Sequence, residues 1–223
     1  MDAVARDGRD MVRRPLVVLA LALGLSALTD AAGAEDYSAP LSEAIGDLRV
    51  RSEVRAGYER DRFKHWVDAD GNGCTTREEV LIVEADEPVS VGRSCRLRDG
   101  RWFSYYDGRS WRRPADIDID HMVPLAEAWD SGARLWTADE RRDYANDLGD
   151  FRSLVGVTNK VNRAKGDKDI AQWLPEFSHC RYLREFVAVK LRWRLSVDSN
   201  EKAAIQSLAS GCTNTTITVT RAL

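Results

Sequence analysis

The sequence predicts an α+β chain, mostly helical with a few short strands. Three observations predict it. Apolar residues recur at helical spacing in several separated segments, as in Leu41, Ala44, Ile45 and Leu48, and again in Leu183, Phe186, Val187 and Leu191. Acidic and apolar residues alternate from Asp116 to Asp120, as along a half-buried strand. Composition is that of an ordinary folded chain of 223 residues, 43% hydrophobic and 31% charged with a net charge of -3. That balance excludes a disordered chain, a collagen-like repeat and a membrane bundle.

Taken in order, residues 1–34 read as a secretory signal peptide. Arg13 and Arg14 are its positive end, Leu16 to Leu28 is an apolar run too short to span a bilayer, and Ala32-Gly33-Ala34 is a small-x-small cleavage site. The mature chain is then extracellular, with no membrane association after cleavage. Residues 35–57 read as a linker and the short helix at 41–48. Tyr58, Phe63 and Trp66 follow as docking aromatics, and Thr76 to Ala85 as a helix burying Val80, Leu81 and Val83. Val89–Leu97 and Arg101–Tyr106 read as two strands around an Asp99-Gly100 turn. Pro124 opens a helix to Trp129. Thr137 to Glu140 is a capping box for a helix to Leu148. Leu154–Val157 is a short strand, Asn159 starts another helix, and residues 179–195 form an amphipathic one. Asp198 to Glu201 caps a last helix ending near Gly211, and the Thr-rich residues 213–223 read as a loose end.

The four cysteines, 74, 95, 180 and 212, all lie after residue 34. An even number in an exported chain predicts two disulfides. Of the three pairings, Cys74–Cys95 with Cys180–Cys212 is favoured because each closes a local loop. A zinc site is disfavoured because no CxxC pair occurs. Residues 160–194 carry nine Lys or Arg and four Asp or Glu. That stretch reads either as a solvated helix face or as a surface for phosphates.

Two segments carry the chemistry. In the first, a strand ends in Asp120-His121 before the helix at Pro124. A carboxylate is a hard ligand for Mg²⁺, and a neutral imidazole can take a proton from water. In the second, Asn159 and Asn162 stand three apart on a helix start, with Lys165 three further on and able to hold a phosphate. A strand end giving Asp-His, joined by a helix giving Asn, matches a ββα-metal arrangement. A separate stretch, Asp68, Asp70, Asn72 and Glu79 with Gly73 between, fits the calcium-loop template. Thr75 at its eighth position and the lack of a partner loop favour instead an Asx-rich turn pinned at Cys74. Glu127 reads as a helix-dipole stabiliser, and His65 beside Trp66 as a packing residue.

Asp118–Pro124 with Asn159–Gly166 resembles the HNH nuclease motif, and its start is similar to the HNH domain of CRISPR effector nucleases. The wider chain resembles secreted actinobacterial HNH-type nucleases related to the C-terminal domain of GmrSD-type restriction enzymes. The resemblance is carried by His65–Arg77, Trp102–Gly108, Asp118–Gly132, Tyr144–Leu148, Asn162–Trp173 and Val189–Trp193. It implies a ββα-metal (HNH, His-Me finger) core in a mostly helical shell with a small β-hairpin, over residues 58–212, ahead of a tail at 213–223. It implies His121 as general base, Asp120 and Asn162 as ligands of Mg²⁺ or Mn²⁺, and a supporting part for Asn159. Lys165 or Arg77 would neutralise the phosphate, and Ser153 stands where the family has a bracing Asn. The implied substrate is DNA, with RNA as the alternative, cut with low sequence specificity by a monomer. The rival reading is a calcium-stabilised cell-envelope binding module, using residues 68–79, with a degenerate nuclease core.

Overall fold

The structure is a computed structural model and describes residues 35–223. The signal-peptide reading of residues 1–34 therefore lies outside the described residues. Among the described residues no helix is long and apolar enough to cross a membrane.

The two ends of the described chain pair with each other. Strand β1 (Asp36–Pro40) runs antiparallel to β7 (Thr216–Thr220), with Tyr37 opposite Val219. The tail alternates Thr with Ile217 and Val219, and only the two apolar residues are buried. This corrects the expected linker at 35–40 and the expected loose end at 213–223. Helix α1 (Leu41–Asp47) follows, burying Leu41, Ala44 and Ile45. It packs with the central helix α6 (His179–Arg192) and with α7 (Ser199–Ala209). Asp198 and Glu201 cap α7 reciprocally. A disulfide from Cys180 to Cys212 ties the start of α6 to the residues beyond α7.

Helix α2 (Thr76–Val83) opens on a capping box of Thr75 and Glu78 and ends two residues before the expected Ala85. Val80 and Leu81 are buried, but Val83 is 78% exposed, so the helix turns one apolar residue outward against expectation. Strands β2 (Glu87–Val91), β3 (Leu97–Ser104) and β4 (Arg109–Trp111) form an antiparallel sheet. The chain reverses at residues 92–96, where the Gly92 N–H donates to the Arg96 carbonyl over 2.9 Å. Asp99 and Gly100 instead lie inside β3, opposite Val89 and its neighbour, with φ of 59° and 81°. That corrects the expected turn. Gly100 is required there because a Cβ would stand 2.8 Å from the Trp102 ring. The Cys74–Cys95 disulfide holds the true reversal against the loop before α2.

Strands β5 (Ile117–His121) and β6 (Leu154–Thr158) make an antiparallel pair, with Asp120 opposite Val155 and His121 opposite Leu154. Ile117 and Ile119 enter a small core with Val80, Leu81, Trp102 and Leu154. Val155 and Val157 enter the large core around α6. By strand alternation, Asp118 and Asp120 face away from the small core. Between these strands lie α3 (Leu125–Asp130) and α4 (Ala138–Ala145). Helix α4 keeps the expected Thr137–Glu140 capping box but stops three residues short of Leu148. Helix α5 (Asn159–Lys165) follows β6 directly and packs against both strands.

Candidate active site

Where β5 ends and α5 begins, Asp120, His121 and Asn162 line one polar cavity of about 150 Å³, together with Arg60, Arg163 and Asp167. His121 is 7% exposed. Its Nε2 lies 3.0 Å from the Ala145 carbonyl at the end of α4. A carbonyl can only accept, so Nε2 carries the hydrogen and Nδ1 keeps its lone pair. Burial, with the nearby charges of Arg60, His65 and Lys165 adding to it, lowers the imidazole to about 3, and the Ala145 carbonyl only partly opposes this. The ring is neutral at ordinary pH. Trp66, Tyr144 and His65 surround it, with ring centroids 5.6, 6.3 and 6.3 Å away.

Asp120 is anchored by one oxygen only. Its Oδ2 accepts from Tyr106 Oη at 2.6 Å and from Lys165 Nζ at 2.5 Å. Those two contacts leave Oδ1 for the cavity. Lys165 is fully buried, and its ammonium also reaches the carbonyls of Met122 at 2.9 Å and His121 at 3.1 Å. Burial lowers its pKa, and Asp120 pulls the other way. With its three donors used inside the protein, Lys165 holds the strand end rather than offering charge to a phosphate.

Other residues nominated from the sequence stand elsewhere. Arg77 donates to the carbonyls of Pro114 at 2.9 Å and Ile117 at 3.0 Å, bracing the start of β5 away from the cavity. Asn159 turns from Asn162 and donates to the Ala115 carbonyl over 3.1 Å. Ser153 donates to Asp147 over 2.7 Å and does not touch His121; the group that orients His121 is the Ala145 carbonyl. In the loop before α2, the Asn72 amide donates to Asp70 at 2.9 Å and Glu79 at 2.7 Å, while Asp68 accepts from the Gly73 N–H at 3.0 Å. Glu127 does lie in the first turn of α3, where a helix-dipole residue belongs, and it is also buried against Lys190, 2.5 Å away.

A larger hollow, of about 890 Å³, is lined by Lys64, Arg142, Trp193 and Arg221 among others. It lacks the imidazole and carboxylate pair, so chemistry and not size selects the smaller one. Sequence reasoning missed Arg60, Arg163 and Tyr106. Nothing in Arg60 marks it as part of the site except its position in an aromatic-rich stretch. Arg163 could have been found as the neighbour of Asn162. Tyr106 stands in the Trp102–Gly108 stretch, but in the turn after β3, and its role could not be read because its partner Asp120 lies on β5.

A short antiparallel pair, a following helix and a neutral imidazole beside a half-free carboxylate belong to a mixed α+β protein with one polar cavity at the strand ends. The family model described as "GmrSD restriction endonucleases, C-terminal domain" matches residues 87–208, and the chain belongs to that family. A protein of Arthroderma benhamiae named "Uncharacterized secreted protein" is 45% identical over 171 residues, covering 75% of this chain and 82% of the relative. No solved structure matches the chain.

Proposed function

We propose that the chain is a secreted, metal-dependent HNH endonuclease that hydrolyses phosphodiesters in DNA, with RNA as the alternative substrate, at low sequence specificity. The observation that carries this reading is the convergence of Asp120, neutral His121 and Asn162 on one cavity at the junction of β5, β6 and α5. The pairing of β5 with β6 across an insertion that holds α3 and α4, and α5 following β6, support a ββα reading, and membership of the GmrSD C-terminal family supports an endonuclease. The name of the Arthroderma benhamiae relative supports export.

The donor set fits a hard divalent cation. Asp120 Oδ1 would offer one charged oxygen and the Asn162 side chain one neutral oxygen, in a polar cavity with room for water. Mg²⁺ keeps several waters, so two protein ligands are enough. When bound, Mg²⁺ or Mn²⁺ supplies Lewis-acid charge to the phosphate and the leaving 3′-oxygen.

The protein's own groups do the rest. Nδ1 of His121 takes a proton from the water whose oxygen bonds to phosphorus, as the bond from phosphorus to the 3′-oxygen breaks. The Ala145 carbonyl holds the ring in place and steadies the imidazolium that forms. Lys165 and Tyr106 fix Asp120 so that its free oxygen needs no rearrangement.

The test is cleavage of plasmid and total RNA by the chain from residue 35, with Mg²⁺, Mn²⁺, Ca²⁺ alone or EDTA. His121→Ala is expected to cut turnover by about 10²- to 10⁴-fold. A folded, oxidised chain that cleaves nothing with any of these ions overturns the reading.

A further inference from the structure

We propose that Arg60 receives the scissile phosphate, so that the segment ahead of the family-matched region supplies the anion-binding wall of the site. This rests on the nuclease reading above and names a residue that reading does not use.

Three observations carry it. Arg60 lines the same cavity as Asp120, His121 and Asn162. It forms no ion pair with any described carboxylate, whereas its neighbour Arg62 pairs with Glu59 at 3.2 Å. The cations nominated from sequence are already committed, Lys165 to Asp120 and Arg77 to backbone carbonyls. Arg163 also lines the cavity and, like Arg60, is exposed, but it leans toward Asp118 at 3.6 Å.

The segment is also held in place. Arg60–Arg62 is a single 3₁₀ turn, and the Phe63 N–H donates to the Arg60 carbonyl over 3.0 Å. Phe63 is fully buried, edge-on to Trp129 and Tyr144. Just beyond, Asn146 clamps the chain twice, donating to the Lys64 carbonyl at 2.8 Å and accepting from the Val67 N–H at 3.1 Å. The anchored turn fixes where the guanidinium starts from, and its planar fork suits phosphate oxygens. Arg60 lies outside residues 87–208, so the family match does not include it.

The experiment compares Arg60→Ala and Arg60→Lys with wild type and with Arg98→Ala, an exposed residue of β3 outside the cavity. Two quantities are read: kcat/KM on plasmid, and the salt dependence of binding to a 20-base-pair duplex in a His121→Ala background. Arg60→Ala is expected to lower kcat/KM by about 10²-fold, and to reduce the slope of log K against log salt by about 0.9. Arg60→Lys should restore the slope but only part of the rate, because a point charge lacks the fork. Arg98→Ala should change neither quantity. If wild type cleaves and His121→Ala does not, yet Arg60→Ala matches wild type in both quantities, this proposal falls and the nuclease reading stands. If wild type cleaves nothing, both fall together.

Discussion

Lys165 and Lys190 are both sealed from water, yet they meet different numbers of carboxylates. Lys165, at the end of α5, meets one carboxylate and two backbone carbonyls. Lys190, near the end of α6, meets two carboxylates, Glu127 at 2.5 Å and Glu201 at 3.0 Å, together with Ser131 and Ser196. Glu53 adds a third carboxylate within 4.8 Å of the Glu oxygens. The consequences run in opposite directions. Burial wins at Lys165 and lowers its pKa. At Lys190 burial is overcome by Glu127 and Glu201, and its pKa rises. The excess acid is met by a proton instead: burial, with Glu127 adding to it, pushes Glu201 up to about 8. One centre is balanced in charge and keeps an oxygen of Asp120 for the cavity. The other spends its groups on each other. A buried ion pair can therefore serve chemistry when it is left open on one side, and serves packing when it is closed.

The largest effects should come from removing the ammonium groups. Lys165→Met and Lys190→Met each leave buried carboxylate without its cation, a change that costs about 3–5 kcal/mol. Urea unfolding at pH 7 should show both losses. Cleavage per folded molecule separates the two. Lys165→Met releases Asp120 and should lose most activity, while Lys190→Met should keep it. Equal loss in both variants would break the distinction between an open and a closed centre.

A smaller effect distinguishes them by pH. Glu201 is raised in the folded state from an ordinary 4.5 to about 8. The folded protein thus holds a proton that the unfolded chain releases, so this group's stabilisation is present below about pH 4.5 and is lost as pH climbs to about 8. Wild-type Tm should fall across that window. Glu201→Gln mimics the protonated acid and should make the slope shallower, leaving the smaller part due to Glu53 and Glu84, each raised to about 7, with cleavage at pH 7 unchanged. A wild-type slope that survives in Glu201→Gln would assign the proton to another group.

Much of the scaffold around both centres was legible because its causes are local. The capping residues Thr137 with Glu140 and Asp198 with Glu201 each act within four residues, and the amphipathic spacing of α6 is read from α6 alone. Asp120, His121 and Asn162 were legible as chemical types at recognisable spacing, and the structure brings all three to one cavity. What could not be read depended on distant partners. The pairing of β1 with β7 joins residues some 180 positions apart. The basic stretch at 160–194 looked like a surface, but Lys165, Lys190 and Arg192 are buried in it, each against a carboxylate more than 40 residues away. A lysine carries no local mark of burial. Asp99-Gly100 has the composition of a turn, yet the Trp102 ring and the pairing with β2 hold it inside a strand.

The smallest test concerns the hydroxyls that complete each centre. Tyr106 donates to Asp120 Oδ2 at the open one, and Ser131 lies between Lys190 and Glu127 at the closed one. Tyr106→Phe and Ser131→Ala each remove a single hydrogen-bonding group without removing a charge. Each should cost roughly 1 kcal/mol in urea unfolding. Their effects on cleavage should differ. Without Tyr106, Asp120 is held by Lys165 alone and gains freedom to rotate its oxygens, so activity should drop several-fold while His121 and Asn162 stay in place. Without Ser131, Lys190 keeps Glu127, Glu201 and the Ser196 carbonyl, and the cavity at β5 is untouched. Equal stability losses with unequal activity losses would show that the two centres differ in what their carboxylates face, and not in how tightly they are bound.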